Sequence, residues 1–170
     1  TTFFFFSDYC GVTQPLVVKY FETRENIFPM VITYIIERWQ TRLTELFSDS
    51  GTPEEQLKQY IRAHDILFKE SVEFSQGFIM FHYLASTNQK FRKLNEELRK
   101  VGVDRINEIL NKGIGVGAFS VEDVATTAST IYNNLLGMYL GLIIDPSYDY
   151  EGSMAVFENM ITAFIQNPKK

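Results

Sequence analysis

Three features of this sequence predict an all-α fold. Apolar residues recur along almost its whole length at steps of three and four, the spacing of one helical face. No run alternates apolar and polar residues between hairpin turns, the mark of paired strands. Helix starts are punctuated. Thr52-Pro53-Glu54-Glu55 sets a cap, a first-turn proline and two acids at the positive end of a helix dipole. Ser120-Val121-Glu122-Asp123 repeats the pattern with Asp as the last acid. Breaks fall at 48–52, near Thr87, at 113–119 and at 145–152, which holds Pro146. Helices are therefore predicted over about 3–9, 14–21, 24–47, 53–70, 72–86, 88–112, 121–144 and 153–166.

Bulk properties narrow the function. With 45% hydrophobic and 15% aromatic residues, 15 of them Phe and 9 Tyr, the 170-residue chain has apolar surface enough for a substantial core. A formal net charge of −5 argues against a basic nucleic-acid coat. One cysteine, Cys10, excludes an internal disulfide framework and fits a reducing compartment, so a cytoplasmic location is expected. The longest apolar run, Ile131 to Ile144, is broken by Asn133 and Asn134 and is shorter than the roughly 20 residues a membrane helix needs. No membrane partner is expected. The opening TTFFFF has no basic flank or cleavage site of a secretory signal.

The first two helices are short and the others long, so a small head (1–46, with the start of a connector helix) is expected on a larger body (47–170). Two complete helices are thin for an independent core, and a further helix is expected before Thr1. The stretch GVTQPLVVKYFETRENIF, residues 11–28, sets out the head. Gly11 can take the left-handed turn that closes the first helix. Thr13 caps the second, with Gln14 and Pro15 in its first turn. Val12, Val17 and Phe21 fall on one side and can pack on the first helix. Gln14, Leu16, Lys19 and Tyr20 lie on another. A helix, a glycine turn and a second helix offering polar and basic groups describe a helix-turn-helix DNA reader. Pro29, in the second turn of the connector helix, lacks the N–H for the Glu25 carbonyl and is expected to bend or loosen the helix.

This head resembles the N-terminal signature of TetR-family transcriptional repressors. Thr1-Thr2, Phe6, Cys10-Gly11-Val12-Thr13, Val17, Phe21, Arg24-Glu25 and Ile27 match that pattern in register and without gaps. The stretch LNKGIGVGAFSVEDVATTASTIYNNLLGMYLG looks like the family's glycine-containing loop and following dimerisation helix. The chain departs from the family at Val18, where a phosphate-binding tyrosine is usual, at Pro15 in place of glycine, and at Arg24 in place of lysine. Phe4 and Phe5 stand where polar residues are typical. The resemblance implies a homodimer that presents two recognition helices to a pseudo-palindromic operator in double-stranded DNA. Lys19 and Arg24 would lie over phosphates, with hydroxyls from Thr2 and Thr13. Gln14 and Tyr20 would reach base edges and Leu16 a thymine methyl, beside Pro15. Residues 1–46 carry four basic and five acidic side chains, fewer positive charges than a DNA reader usually shows.

In the body, Tyr60, His64 and Phe68 share one helical face at four-residue spacing. Phe74, Phe78, Met80, Phe81, His82 and Tyr83 hold too much bulk for one buried stripe. Dense core is one reading. The resemblance favours the other, a pocket for a small apolar or aromatic effector built from Tyr60, His64, Phe68, Phe78, Phe81, His82, Tyr132 and Met138. Ala128, Ile131 and Leu135 on one helix and Met154, Phe157, Ile161 and Phe164 on the next form apolar stripes suited to a bundle seam. The resemblance assigns them to a four-helix dimer interface, with intramolecular core as the alternative. No metal, cofactor or enzyme site is expected: the two histidines have no ligand spacing, and no nucleophile–base set is legible. Gly113 to Ala118 formally spells a dinucleotide fingerprint, but it follows a helix rather than a strand. The expected function is a ligand-responsive repressor, and the alternative a helical small-molecule-binding or interaction module that does not bind DNA.

Overall fold

The computed structural model describes residues 3–71 and 74–166. Among these the chain forms eight α-helices: α1 (Phe3–Cys10), α2 (Gln14–Phe21), α3 (Arg24–Leu46), α4 (Pro53–Glu70), α5 (Ser75–Thr87), α6 (Gln89–Gly115), α7 (Val124–Ile144) and α8 (Tyr150–Gln166). The all-α expectation holds. No helix among the described residues is long and apolar enough to cross a membrane. The chain divides into two compact units, Thr1–Trp39 and Gln40–Lys170, at a point inside α3.

In the first unit α1 ends as the sequence predicts. Gly11 has φ +64°, and the N–H groups of Gly11 and Val12 donate to the Asp8 and Ser7 carbonyls at 3.2 and 3.0 Å. Val17 is buried, and Phe21 meets Phe6 edge-on at 5.6 Å. Val12 does not join them; at 39% exposure it stays in solvent, because it belongs to the turn and not to either helix. Thr13 occupies the cap position, but its side chain makes no capping hydrogen bond. Glu22, at φ +61°, closes α2 with its N–H on the Val18 carbonyl at 2.8 Å. A positive φ at a non-glycine residue is uncommon and marks a tightly constrained exit. α3 continues through Pro29, since one missing hydrogen bond does not end a helix of 23 residues.

In the second unit side-chain caps start α4, α7 and α8. Thr52 and Glu55 form the predicted capping box on α4 (Thr52 N–H to Glu55 Oε2, 2.8 Å; Glu55 N–H to Thr52 Oγ1, 3.3 Å). α7 begins at Val124, later than predicted, because the Asp123 carboxylate accepts from the Thr126 N–H at 2.9 Å and so acts as the cap. α8 begins at Tyr150, earlier than predicted, with Asp149 taking the Gly152 N–H at 2.9 Å. The expected break at Gly113 is absent. α6 runs on to Gly115, since the Phe119 ring lies so close to Gly113 that a Cβ there would sit 2.0 Å from it. The chain turns instead at Gly117, φ +73°. Ile106, Ile109, Leu110, Ala128, Ile131, Leu135 and Tyr139 form the centre of the core.

Candidate functional site

The candidate DNA-reading surface rests on α2, whose burial has one sharp phase. Val17 is 3% exposed, whereas Gln14, Pro15, Leu16, Lys19 and Tyr20 all face solvent, as do Thr13 and Arg24. The packing of one valine on α1 therefore turns the polar and basic side chains of the helix outward. Val18 is also exposed, at 40%. Thr2 lies outside the described residues. Sequence reasoning did not find the cavity of about 420 Å³ beside these groups, lined by Phe6, Arg24, Glu25, Ile27, Phe28 and Val31.

The candidate effector residues come together as a chain of rings. Phe47 meets Tyr60 edge-on at 5.9 Å, Tyr60 lies 4.3 Å from the His64 ring, and His64 lies 5.7 Å from Phe68. Phe68 stacks on Tyr139 at 4.3 Å with an interplanar angle of 16°. Tyr139 in turn meets Phe78 at 4.8 Å, and Phe78 meets His82 at 4.4 Å, with Phe81 beside His82 at 5.2 Å. Tyr132 joins the Tyr60 end across Gly102, where a Cβ would sit 2.5 Å from the Tyr132 ring and 3.5 Å from Tyr60 Oη. Met138 is buried too. Tyr139, the centre of the chain, was missed by the sequence reading. Its spacing of four from Leu135 is a signal for it, although Met138 continues the apolar stripe of Ile131 and Leu135 equally well.

Packing at these distances fills the space between Tyr60 and Tyr139 with protein, which is the dense-core reading for that stretch. Two polar groups stand out within it. His64 Nδ1 lies 2.9 Å from the Tyr60 carbonyl oxygen. Burial lowers its pKa to about 4, and the nearby Arg105 charge acts in the same direction. His82 is half-buried, its pKa also lowered by desolvation, and its Nε2 is buried with no hydrogen-bond partner. Among the described residues, that atom is a buried polar group of the ring chain without its complement.

His64 yields a pH prediction. The unfolded imidazole titrates near 6.5 and the folded one near 4, so between these values the unfolded chain binds the proton. Stability is then full above pH 6.5 and falls as pH drops. The His64 share of the loss is about 1.4 kcal/mol at pH 5.5. Urea titrations at pH 7.5 and 5.5 should show it, and His64→Leu should lose less between the two than the parent.

Burial separates the residues expected at the interface. Ala128, Ile131, Leu135, Met154, Phe157 and Ile161 are all 9% exposed or less within the single chain. Within the single chain they pack as core, the alternative reading of these stripes. Only Phe164, at 61%, faces out. The outward apolar stripe of α8 is instead Val156, Met160 and Phe164, at 57%, 62% and 61%. The seven-residue repeat was real, but its phase pointed inward. Gly113 and Gly115 lie in α6, and among the described residues no strand precedes them, so the glycine motif is a helix end and not a nucleotide loop. Among the described residues no group of three or more His, Cys, Asp or Glu side chains is placed to hold a metal.

No protein-family model and no curated protein matches the sequence. Solved structures do. A TetR transcription regulator from Haloarcula marismortui superposes with a TM-score of 0.86 at 16% identity, covering 98% of this chain and 88% of that one. A TetR-family regulator from a Rhodococcus species gives 0.78 at 16% identity over 95% and 85% of the two chains. The regulator PfmR of Thermus thermophilus gives 0.70 at 17% identity over 98% and 90%.

Proposed function

With the fold of TetR-family transcriptional regulators as premise, we propose that this chain is a regulator of that kind, binding operator DNA through α2. The observation that carries the reading is the outward set Gln14, Leu16, Lys19 and Tyr20 on a helix anchored inward by Val17. Lys19 and Arg24 supply charge to phosphates, with the Thr13 hydroxyl, which α2 does not use as a cap, beside them. Gln14 has the donor and acceptor pair that matches adenine, and Leu16 the apolar surface for a thymine methyl. A homodimer joined through the α8 stripe presents two copies of this helix to a pseudo-palindrome. The protein acts as a repressor in the cytoplasm, released when an effector shifts the population of dimers away from those that match both half-sites.

The effector is a small apolar or aromatic molecule held at the His82 end of the ring chain. The unpartnered His82 Nε2 and the half-buried Phe78 next to it support this. The acidic balance of residues 1–46 favours a second reading, a helical carrier or adaptor without DNA binding.

A gel-shift titration of the intact protein on its own upstream DNA at two salt concentrations separates the two. Lys19→Ala should weaken binding to all sequences alike and lower the salt slope by about 1. Gln14→Ala should cost about 1–3 kcal/mol on the preferred site and little elsewhere. Operator affinity unchanged in both variants would remove α2 from the interface.

A further inference from the structure

Where α4 ends, two neighbouring residues are tied to α3, to the entry of α5 and to α7. Glu70, the last residue of α4, takes the Arg42 guanidinium of α3 through two hydrogen bonds, Nε to Oε2 at 2.9 Å and Nη2 to Oε1 at 2.8 Å. Ser71, the cap that follows, is 4% exposed. Its carbonyl oxygen accepts from the Phe74 N–H at 2.9 Å and from the Tyr139 hydroxyl at 3.4 Å. The Tyr139 ring is the one stacked on Phe68 and met edge-on by Phe78. A single side chain of α7 therefore senses the packing of α5 and holds the end of α4.

The Arg42–Glu70 pair does not serve α4. A carboxylate in the last turn meets the negative end of the helix dipole, so without Arg42 it disfavours its own helix. The pair serves α3, in which no residue from 40 to 46 is buried, so apolar packing grips that stretch weakly. Phe47, just beyond, is the anchor, 8% exposed and edge-on to Tyr60. Arg42 has a second acceptor on its own helix: Glu45 Oε2 lies 3.1 Å from Nη1, so release of Glu70 leaves the guanidinium paired. Lys69 does not compete for Glu70. It lies 3.0 Å from Asp65 Oδ1 and 2.7 Å from Glu151 Oε1, over the Tyr150 ring. The Tyr139 bond, at 3.4 Å, exceeds the roughly 2.5–3.0 Å usual for a hydroxyl donor and is a weak latch.

We propose that these groups form one release device. When the Tyr139 hydroxyl leaves the Ser71 carbonyl, the end of α4 shifts, Glu70 gives up Arg42 to Glu45, and α3 stays held at Phe47. The trigger is a change in how Phe78 packs on Tyr139, which a molecule bound beside His82 supplies. That use rests on the effector site proposed above. The coupling from Tyr139 to Arg42 does not rest on it, and its test uses neither effector nor DNA.

Magnetic resonance of the intact protein, isotopically labelled at arginine, in the tyrosine rings and at backbone amides, reports both ends. Tyr139→Phe keeps the ring and removes the latch. The Arg42 Nε–H should then exchange with water about tenfold faster, approaching its rate in Glu70→Gln. Amides in the middle of α6 should keep their protection in both variants, which separates release of the clamp from general loosening. Tyr83→Phe removes an exposed hydroxyl from α5 and, as the control, should leave Arg42 unchanged. Coupling is reciprocal, so Glu70→Gln, at a side chain 45% exposed, should shift the Tyr139 ring resonance. Should Tyr139→Phe not fold, that arm carries the test. Arg42 exchange unchanged in a folded Tyr139→Phe would overturn the device. So would faster exchange at Arg42 and α6 alike, or a Tyr139 resonance that Glu70→Gln leaves in place. A protein that shows the coupling but takes up no molecule beside His82 would retire the effector reading and leave the device standing.

Discussion

Phe68→Ala is expected to lower stability by about 3–5 kcal/mol, the range for deleting a fully buried aromatic ring. Phe68 is 5% exposed, stacked on Tyr139 and edge-on to His64, and Phe78 packs against Tyr139 in turn. Its removal takes a partner from rings on α4 and α7 together, and close-packed neighbours relax only in part. The melting temperature should fall by about 6–20 °C. Phe74→Ala, at a ring that is 42% exposed, is the control and should stay within about 0.5 kcal/mol of the parent. The comparison also probes the pocket. A loss near 1 kcal/mol at Phe68 would mean that the ring chain has room to collapse, and would move the effector site from its His82 end to its middle.

The second large effect concerns assembly. Glutamate at both Met160 and Phe164 should turn a dimer into a monomer in sedimentation velocity. The fold itself should change little, because both side chains are more than 60% exposed within the chain. Two charges facing two more across a twofold axis must be desolvated or stay apart, and they stay apart. Operator affinity should then fall by at least about 100-fold, since one half-site no longer raises the effective concentration at the other. A double variant that remains dimeric would move the interface off α8. Glutamate at Ile131 or Leu135 tests something else. Those side chains are 0% and 2% exposed, and the expected result is an unfolded body.

Local signals were legible in the sequence wherever a short stretch decides its own structure. The Gly11 turn needs a residue at ease in the left-handed region, and the chain has glycine there. The Thr52–Glu55 box is a reciprocal pair three residues apart, and it forms as read. α2 and α4 fall at their predicted limits for the same reason. Errors came where a distant side chain decides. Gly113 reads as a break, but the Phe119 ring packed on it keeps α6 helical for two more residues. The start of α7 at Val124 is a local matter that two neighbouring cap candidates left open: the Asp123 side chain, rather than that of Ser120, accepts from the Thr126 N–H.

The sequence by itself determined that the chain is all helical, where its caps and glycine turns lie, and that α2 is short with one apolar anchor. These follow from periodicity and backbone preference within a few residues. Only the tertiary structure decided which side of α7 and α8 is core, that Tyr139 joins the rings of α4 to those of α5, and that Lys69 meets Tyr150 and Glu151. An apolar stripe states only that a face wants to leave water. Whether its own chain or another surface covers it depends on helices far away in sequence.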